Sequence, residues 1–129
     1  MTQSRTRTVF QAFKQAFETG ETANFAAMVT EDFHFNVPLP LEGWNLEQRG
    51  KARFEALIRF ERAVLQVELT PLIELANENY GMVVFRAEGA LNGRPYRNEL
   101  AVVFEYEGEQ VRAFREYVGM PLRNYEAPQ

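Results

Sequence analysis

Five side chains interrupt apolar runs of this chain in a way that would bring proton chemistry inside the fold. His34 and Asn36 alternate with Phe33, Phe35 and Val37. Arg86 and Glu88 follow Val83, Val84 and Phe85, and Glu116 stands between Phe114 and Val118. A charged group on a buried strand face needs a partner, because taking it out of water is costly. Gathered round one cavity, these side chains would supply two carboxylates, a guanidinium, an amide and an imidazole. That set is sufficient for acid–base chemistry.

The elements that must position them read as helices first and strands after. Val9, Phe10, Phe13, Ala16 and Phe17 recur at helical spacing, with Ser4 as an expected N-cap and Gly20 as a stop. Thr22 is placed to cap a second short helix through Phe25, Met28 and Val29. Phe33 to Val37 reads as a strand, followed by a Pro/Gly loop that carries Trp44. Lys51 to Ala63 is a third helix with Phe54, Leu57 and Ile58 facing inward, and Phe60 as a further candidate. Leu65 to Ala76 is a strand whose Pro71 calls for an edge position or a bulge. Met82 to Leu91 and Arg94 to Tyr106 form a hairpin through Asn92-Gly93. Val111 to Val118 is the last strand, and Pro121 to Gln129 a tail. Helices grouped on one side of a mainly antiparallel, curved sheet give an α+β architecture with a pocket between the layers.

Composition narrows the function classes. The 129 residues are the size of one domain, spanning 1–129. Hydrophobic residues make up 46% and Phe occurs 11 times, enough for a core and for the walls of a cavity. The net charge of −4 comes with no basic stripe, which disfavours nucleic acid as a partner. The absence of Cys excludes disulfides and a thiolate nucleophile, and a single His speaks against a metal site. No leader or membrane span is evident, so a soluble cytoplasmic protein without cofactor is expected.

The element order, with Tyr96-Arg97-Asn98 on one strand and Arg115-Glu116-Tyr117 on the last, resembles the SnoaL-like branch of the nuclear transport factor-like superfamily. That superfamily includes ketosteroid isomerase and limonene epoxide hydrolase. The resemblance covers roughly residues 8 to 123 and implies a cone-shaped, cystatin-like roll: three helices on a strongly curved sheet. The isomerase's proton-handling positions look like Phe13, Val37 and Val102 here, none of which can do that chemistry, so isomerase activity of that type is not implied. The hydrolase pattern fits more of the chain. Its Tyr-x-Asn, Arg-x-Asp and Arg-Asp-Tyr stretches correspond to His34-Phe35-Asn36, Arg86-Ala87-Glu88 and Arg115-Glu116-Tyr117. On that likeness Glu116 is the base, Glu88 the acid and Arg86 their orienting group, with His34 and Asn36 positioning water.

Other readings compete at each position. Phe33, Phe35 and Val37 form the more apolar face of their strand, which favours His34 and Asn36 pointing to solvent unless a bulge intervenes. Arg86 and Glu88 could be a structural ion pair. Alternation leaves the direction of Glu116 open. Asn98 shares a side with Leu100, Val102 and Phe104 and is expected inward, to bind a ligand or to satisfy backbone. Trp44 is either a lid or a loop aromatic packed on the third helix. Phe13, Val102, Phe104 and Phe114 are candidates for the walls. The expected partners are a small hydrophobic molecule, acted on or merely bound, and a second copy in a homodimer.

Overall fold

The computed structural model describes residues 2–121, with side chains from 5 to 119. Three helices, α1 (Thr2–Thr19), α2 (Ala23–Ala26) and α3 (Lys51–Val64), pack on one face of a six-stranded sheet. The strands are β1 (Val29–Asn36), β2 (Gln48–Arg49), β3 (Leu65–Ala76), β4 (Tyr80–Leu91), β5 (Arg94–Glu107) and β6 (Gln110–Pro121). Their order is β2-β1-β6-β5-β4-β3, so the sheet has two edges and does not close. All neighbours are antiparallel except β1 and β6, which run parallel. This is the expected α+β cone.

The helical stripe of α1 is the reason it docks: Val9, Phe10, Phe13, Ala16 and Phe17 are all buried. Gly20 ends the helix at a positive φ of 85°, its amide donating to the Ala16 carbonyl. Ser4 does not cap, since the helix begins at Thr2. Thr22 makes no side-chain cap either; the Glu21 carboxylate accepts the Ala23 amide instead, at 2.7 Å. α2 is a single turn, and Val29 already belongs to β1, which starts four residues before the expected strand. Pro71 meets both expectations: β3 is an edge strand, and its register slips between Pro71 and Ile73. Asn92 and Gly93 both take positive φ, as a tight hairpin requires. Of the expected tail, Pro121 closes β6 and the remaining residues lie outside those described.

Aromatic rings define the inner face. Phe85 meets Phe10 and Phe13 of α1 at 5.4 and 6.2 Å, and Phe114 meets Phe13 at 5.4 Å and Phe35 at 5.0 Å. Two bulges in β6 then set its facing. Val111 pairs with Tyr106 but Ala113 pairs with Glu105, so Arg112 is an extra residue; Gly119 is a second, between Val118 and Met120. Val111 and Phe114 are both buried, three positions apart, which strict alternation forbids. The bulge at Arg112 therefore shifts the parity of all that follows and turns Phe114 and Glu116 inward.

Candidate active site

The inner face carries an unusual pair. Along α3 the buried stripe Phe54, Leu57, Ile58 continues one turn on to Glu61, which is only partly exposed. Across from it, Glu116 follows Phe114 on the inner face of β6 and lies opposite Val102 of β5, whose side chain has no exposed surface. Burial raises the Glu61 carboxyl to about 7. The same cause, with the charge of Glu61 added, raises Glu116 to about 8. Both shifts disfavour ionisation, and a charge on Glu61 further disfavours one on Glu116. Among the described residues neither carboxyl has a hydrogen bond or an ion pair.

Asn98 is also inward. Its cross-strand partner is the buried Ala87, and its Nδ2 donates to the Tyr96 hydroxyl at 2.6 Å. Tyr96 packs against the edge of the core.

The other expected site residues go elsewhere. Val83, Phe85 and Ala87 face the helices, so Arg86 and Glu88 point to the outer face of the sheet. There Glu88 is exposed and pairs with Arg97 at 3.3 Å and Arg86 at 3.8 Å, a surface ion-pair cluster remote from Glu116. His34 and Asn36 are turned outward in the same way, because Phe33, Phe35 and Val37 take the inner face. The bulge that could have reversed them falls instead between Val29 and His34. With Tyr80, Glu105 and Arg115 they line an outer hollow of about 200 Å³. Phe13, Phe104 and Phe114 interlock ring on ring in the core and are at most 1% exposed, and Phe114 also borders the outer hollow. Val102 lies beneath Glu116. Trp44 stacks on Phe60 of α3 at 5.8 Å and under the Arg53 guanidinium at 3.7 Å, the packed-loop outcome.

Of the expected set, then, Glu116 and Asn98 face inward, and the carboxyl whose charge reaches Glu116 is that of Glu61, not Glu88. Glu61 was legible: it interrupts the apolar stripe of α3 as Glu116 interrupts that of β6. Among the described residues, no cluster of three or more His, Asp or Glu side chains is arranged to hold a metal ion.

The SnoaL-like domain family matches residues 10–114, most of the chain. The chain belongs to the SnoaL-like family. No curated protein matches it. Among solved structures, an NTF2-like protein from Anabaena variabilis is 30% identical, with a TM-score of 0.80 over 92% of this chain and 89% of its own. A hypothetical protein with a ketosteroid isomerase-like fold from Catenulispora acidiphila, in complex with trimethylamine, has a TM-score of 0.71 at 12% identity, covering 84% and 83%. An LEH-like epoxide hydrolase from M. tuberculosis has a TM-score of 0.68 at 15% identity, covering 91% and 84%. The last two share the fold with this SnoaL-like protein. Glu116 lies just beyond the residues that the family matches, so membership by itself does not speak for it. No helix among the described residues is long and apolar enough to cross a membrane.

Proposed function

We propose that this SnoaL-like protein is a cofactor-independent acid–base enzyme acting on a small, largely hydrophobic molecule at the Glu61–Glu116 end of the cone. The observation that carries this reading is the pair itself: Glu61 on the inward stripe of α3 and Glu116 on the inner side of β6, close enough for the charge of one to raise the other, with no ion pair to a described residue. One carboxylate and one carboxylic acid at neutral pH are a base and an acid in one place. Opening an epoxide with water uses both. The ionised Glu takes a proton from water as the water oxygen bonds to a ring carbon. The C–O bond breaks, and the protonated Glu gives its proton to the leaving oxygen. The two residues have then exchanged roles, and their proximity lets a proton return. Asn98 is offered as a hydrogen-bonding group for the substrate. Related isomerisations or cyclisations use the same pair.

The test is turnover of a panel of small cyclic and linear epoxides in ¹⁸O-water, read by mass spectrometry. Labelled diol is expected from the parent, with a loss of about 10²- to 10⁴-fold in Glu116→Gln and in Glu61→Gln. Diol formation that survives both changes would sink the assignment.

A second reading, binding without catalysis, is favoured by the outward placement of His34, Asn36, Arg86 and Glu88, which leaves the hydrolase-like set unassembled. The partner in the cell would then be the same kind of small hydrophobic molecule. A homodimer formed through the outer sheet face, and residence in the cytoplasm, complete the proposal.

A further inference from the structure

We propose that the outer hollow on β1, β6, β5 and β4 is a ligand site separate from the inner carboxyl pair, and that it takes a small organic carboxylate with a single apolar ring, held by Arg115 and Asn36. It lies on the opposite face of the sheet from Glu61 and Glu116, and it stands or falls independently of the function proposed for them.

Two adjacent cross-strand rows build the hollow. In one, Asn36 of β1 pairs with Arg115 of β6, and Arg115 with Val103 of β5. In the other, His34 pairs with Ala113, Ala113 with Glu105, and Glu105 with Tyr80. The concavity has a simple cause. Ala113 is the smallest side chain of its row and stands between His34 and Glu105. It is buried without belonging to the aromatic core behind the sheet. Its single methyl leaves about 200 Å³ between the longer neighbours, room for one small ring.

The charges of the hollow decide what it takes. Glu105 is already balanced: it accepts from Arg112 Nε at 3.3 Å and from the Tyr80 hydroxyl at 3.4 Å. His34 lies 3.9 Å from Glu47, which itself pairs with Arg49. Arg115 is exposed, and its guanidinium has neither an ion pair nor a hydrogen bond to a described residue; the same holds for the amide of Asn36 beside it. The hollow thus holds one uncommitted positive charge next to an uncommitted amide. A guanidinium offers two parallel N–H donors that match the two oxygens of a carboxylate, and the Asn NH2 adds a third. Val103, Ala113 and the Tyr80 ring give apolar contact to the body of the ligand. A cation would be repelled by Arg115, and an inorganic anion would leave the apolar floor unused.

The probes are benzoate, benzamide and inorganic phosphate. Benzamide keeps the shape of benzoate and lacks the charge; phosphate keeps a charge and lacks the ring. Each is titrated into the full ¹⁵N-labelled chain at constant pH, and the amide shifts are followed by NMR. Benzoate is expected to bind at least about tenfold more tightly than either of the others. The amides that move should be those of His34, Asn36, Val103, Ala113 and Arg115, while those of Leu57 and Ile58 on the other side of the sheet stay in place. Arg115→Gln should weaken binding by about tenfold or more, with part of the affinity restored in Arg115→Lys, which keeps the charge and loses the fork. Ala113→Leu fills the hollow and should abolish binding. Should that variant fail to fold by circular dichroism, the Arg115 series decides.

Benzamide or phosphate binding as tightly as benzoate, shifts centred on the inner face, an affinity unchanged in Arg115→Gln, or no binding at all would each overturn the proposal, whatever oligomeric state the parent adopts. Epoxide turnover is read separately, so the two sites are told apart: turnover without benzoate binding removes this inference alone.

Discussion

Glu61 and Glu116 make opposite contributions to the protein depending on whether they carry protons. In the unfolded chain both titrate near the ordinary glutamate value of 4.5; in the fold they are raised to about 7 and about 8. The folded state therefore binds protons more tightly than the unfolded one. Stability from this source is fully present below about pH 4.5 and is lost as pH rises through 7 to 8. The direction is the reverse of that given by a salt-bridged carboxylate. We expect the midpoint of thermal unfolding to fall between pH 5.5 and pH 8.5, and Glu116→Gln to flatten most of that slope. The gain at pH 8.5 should be on the order of a few kcal/mol at most. A parent protein whose melting temperature is flat or rises over that window would show that the pair is not desolvated. The sequence offered Glu116 by its place between Phe114 and Val118, but it offered Arg86 and Glu88 by the same logic. Only one of these two interruptions is inward. A polar residue in an apolar strand marks a site only when its face is known.

At the scale of elements, the sheet depends on close approach between β3 and β4. Gly89 pairs with Val67, and a Cβ there would lie 1.8 Å from the Gln66 carbonyl oxygen and 2.8 Å from its carbon. Both are backbone atoms with no freedom to step aside. Gly89→Ala should therefore separate the strands locally, with a loss of about 2–4 kcal/mol read from urea unfolding; a loss below 0.5 kcal/mol would mean the strands are not packed so closely. The edge strand β3 is otherwise held by α1. The Glu18 carboxylate accepts the Leu69 amide at 2.7 Å while pairing with Lys14, and Arg7 reaches Glu74 at 3.1 Å. The bulge at Arg112 has a different consequence, since it is what gives β6 both a buried Val111 and an inward Glu116.

Over the whole molecule, the outer sheet face carries two cross-strand rows with an apolar majority. Ile73, Val84, Ala101 and Tyr117 form one, and Leu75, Met82, Val103 and Arg115 the next. Ile73, Leu75 and Tyr117 are each more than half exposed. Apolar surface gathered on one face in this way is what the proposed homodimer would cover, with a second copy of the same face as the simplest partner. Light scattering behind a sizing column is expected to give twice the 14.9 kDa chain mass. Val84→Lys with Tyr117→Glu should return the monomer mass with an unchanged circular dichroism spectrum. A parent that runs as a monomer at micromolar concentration would remove the homodimer from the proposal.

What the amino-acid sequence determined by itself is mostly local. The spacing of Val9 to Phe17 and of Phe54 to Ile58, the Asn92-Gly93 turn and the edge signal at Pro71 all express short-range rules of backbone and burial, and each holds in the fold. The inward side of Asn98 followed from its neighbours on the same strand. The start of α1 at Thr2 and the early start of β1 at Val29 did not follow, because element ends are set by docking as much as by propensity. The site needed more. Which face of β4 meets α1, the single-residue bulge that sets the parity of β6, and the meeting of Glu61 with Glu116 are outcomes of packing between segments far apart in the chain. A strand pattern with apolar residues on both faces is compatible with either orientation. The choice falls to the aromatic core, where Phe13, Phe85, Phe104 and Phe114 fit together in one arrangement and carry their polar neighbours to whichever side remains.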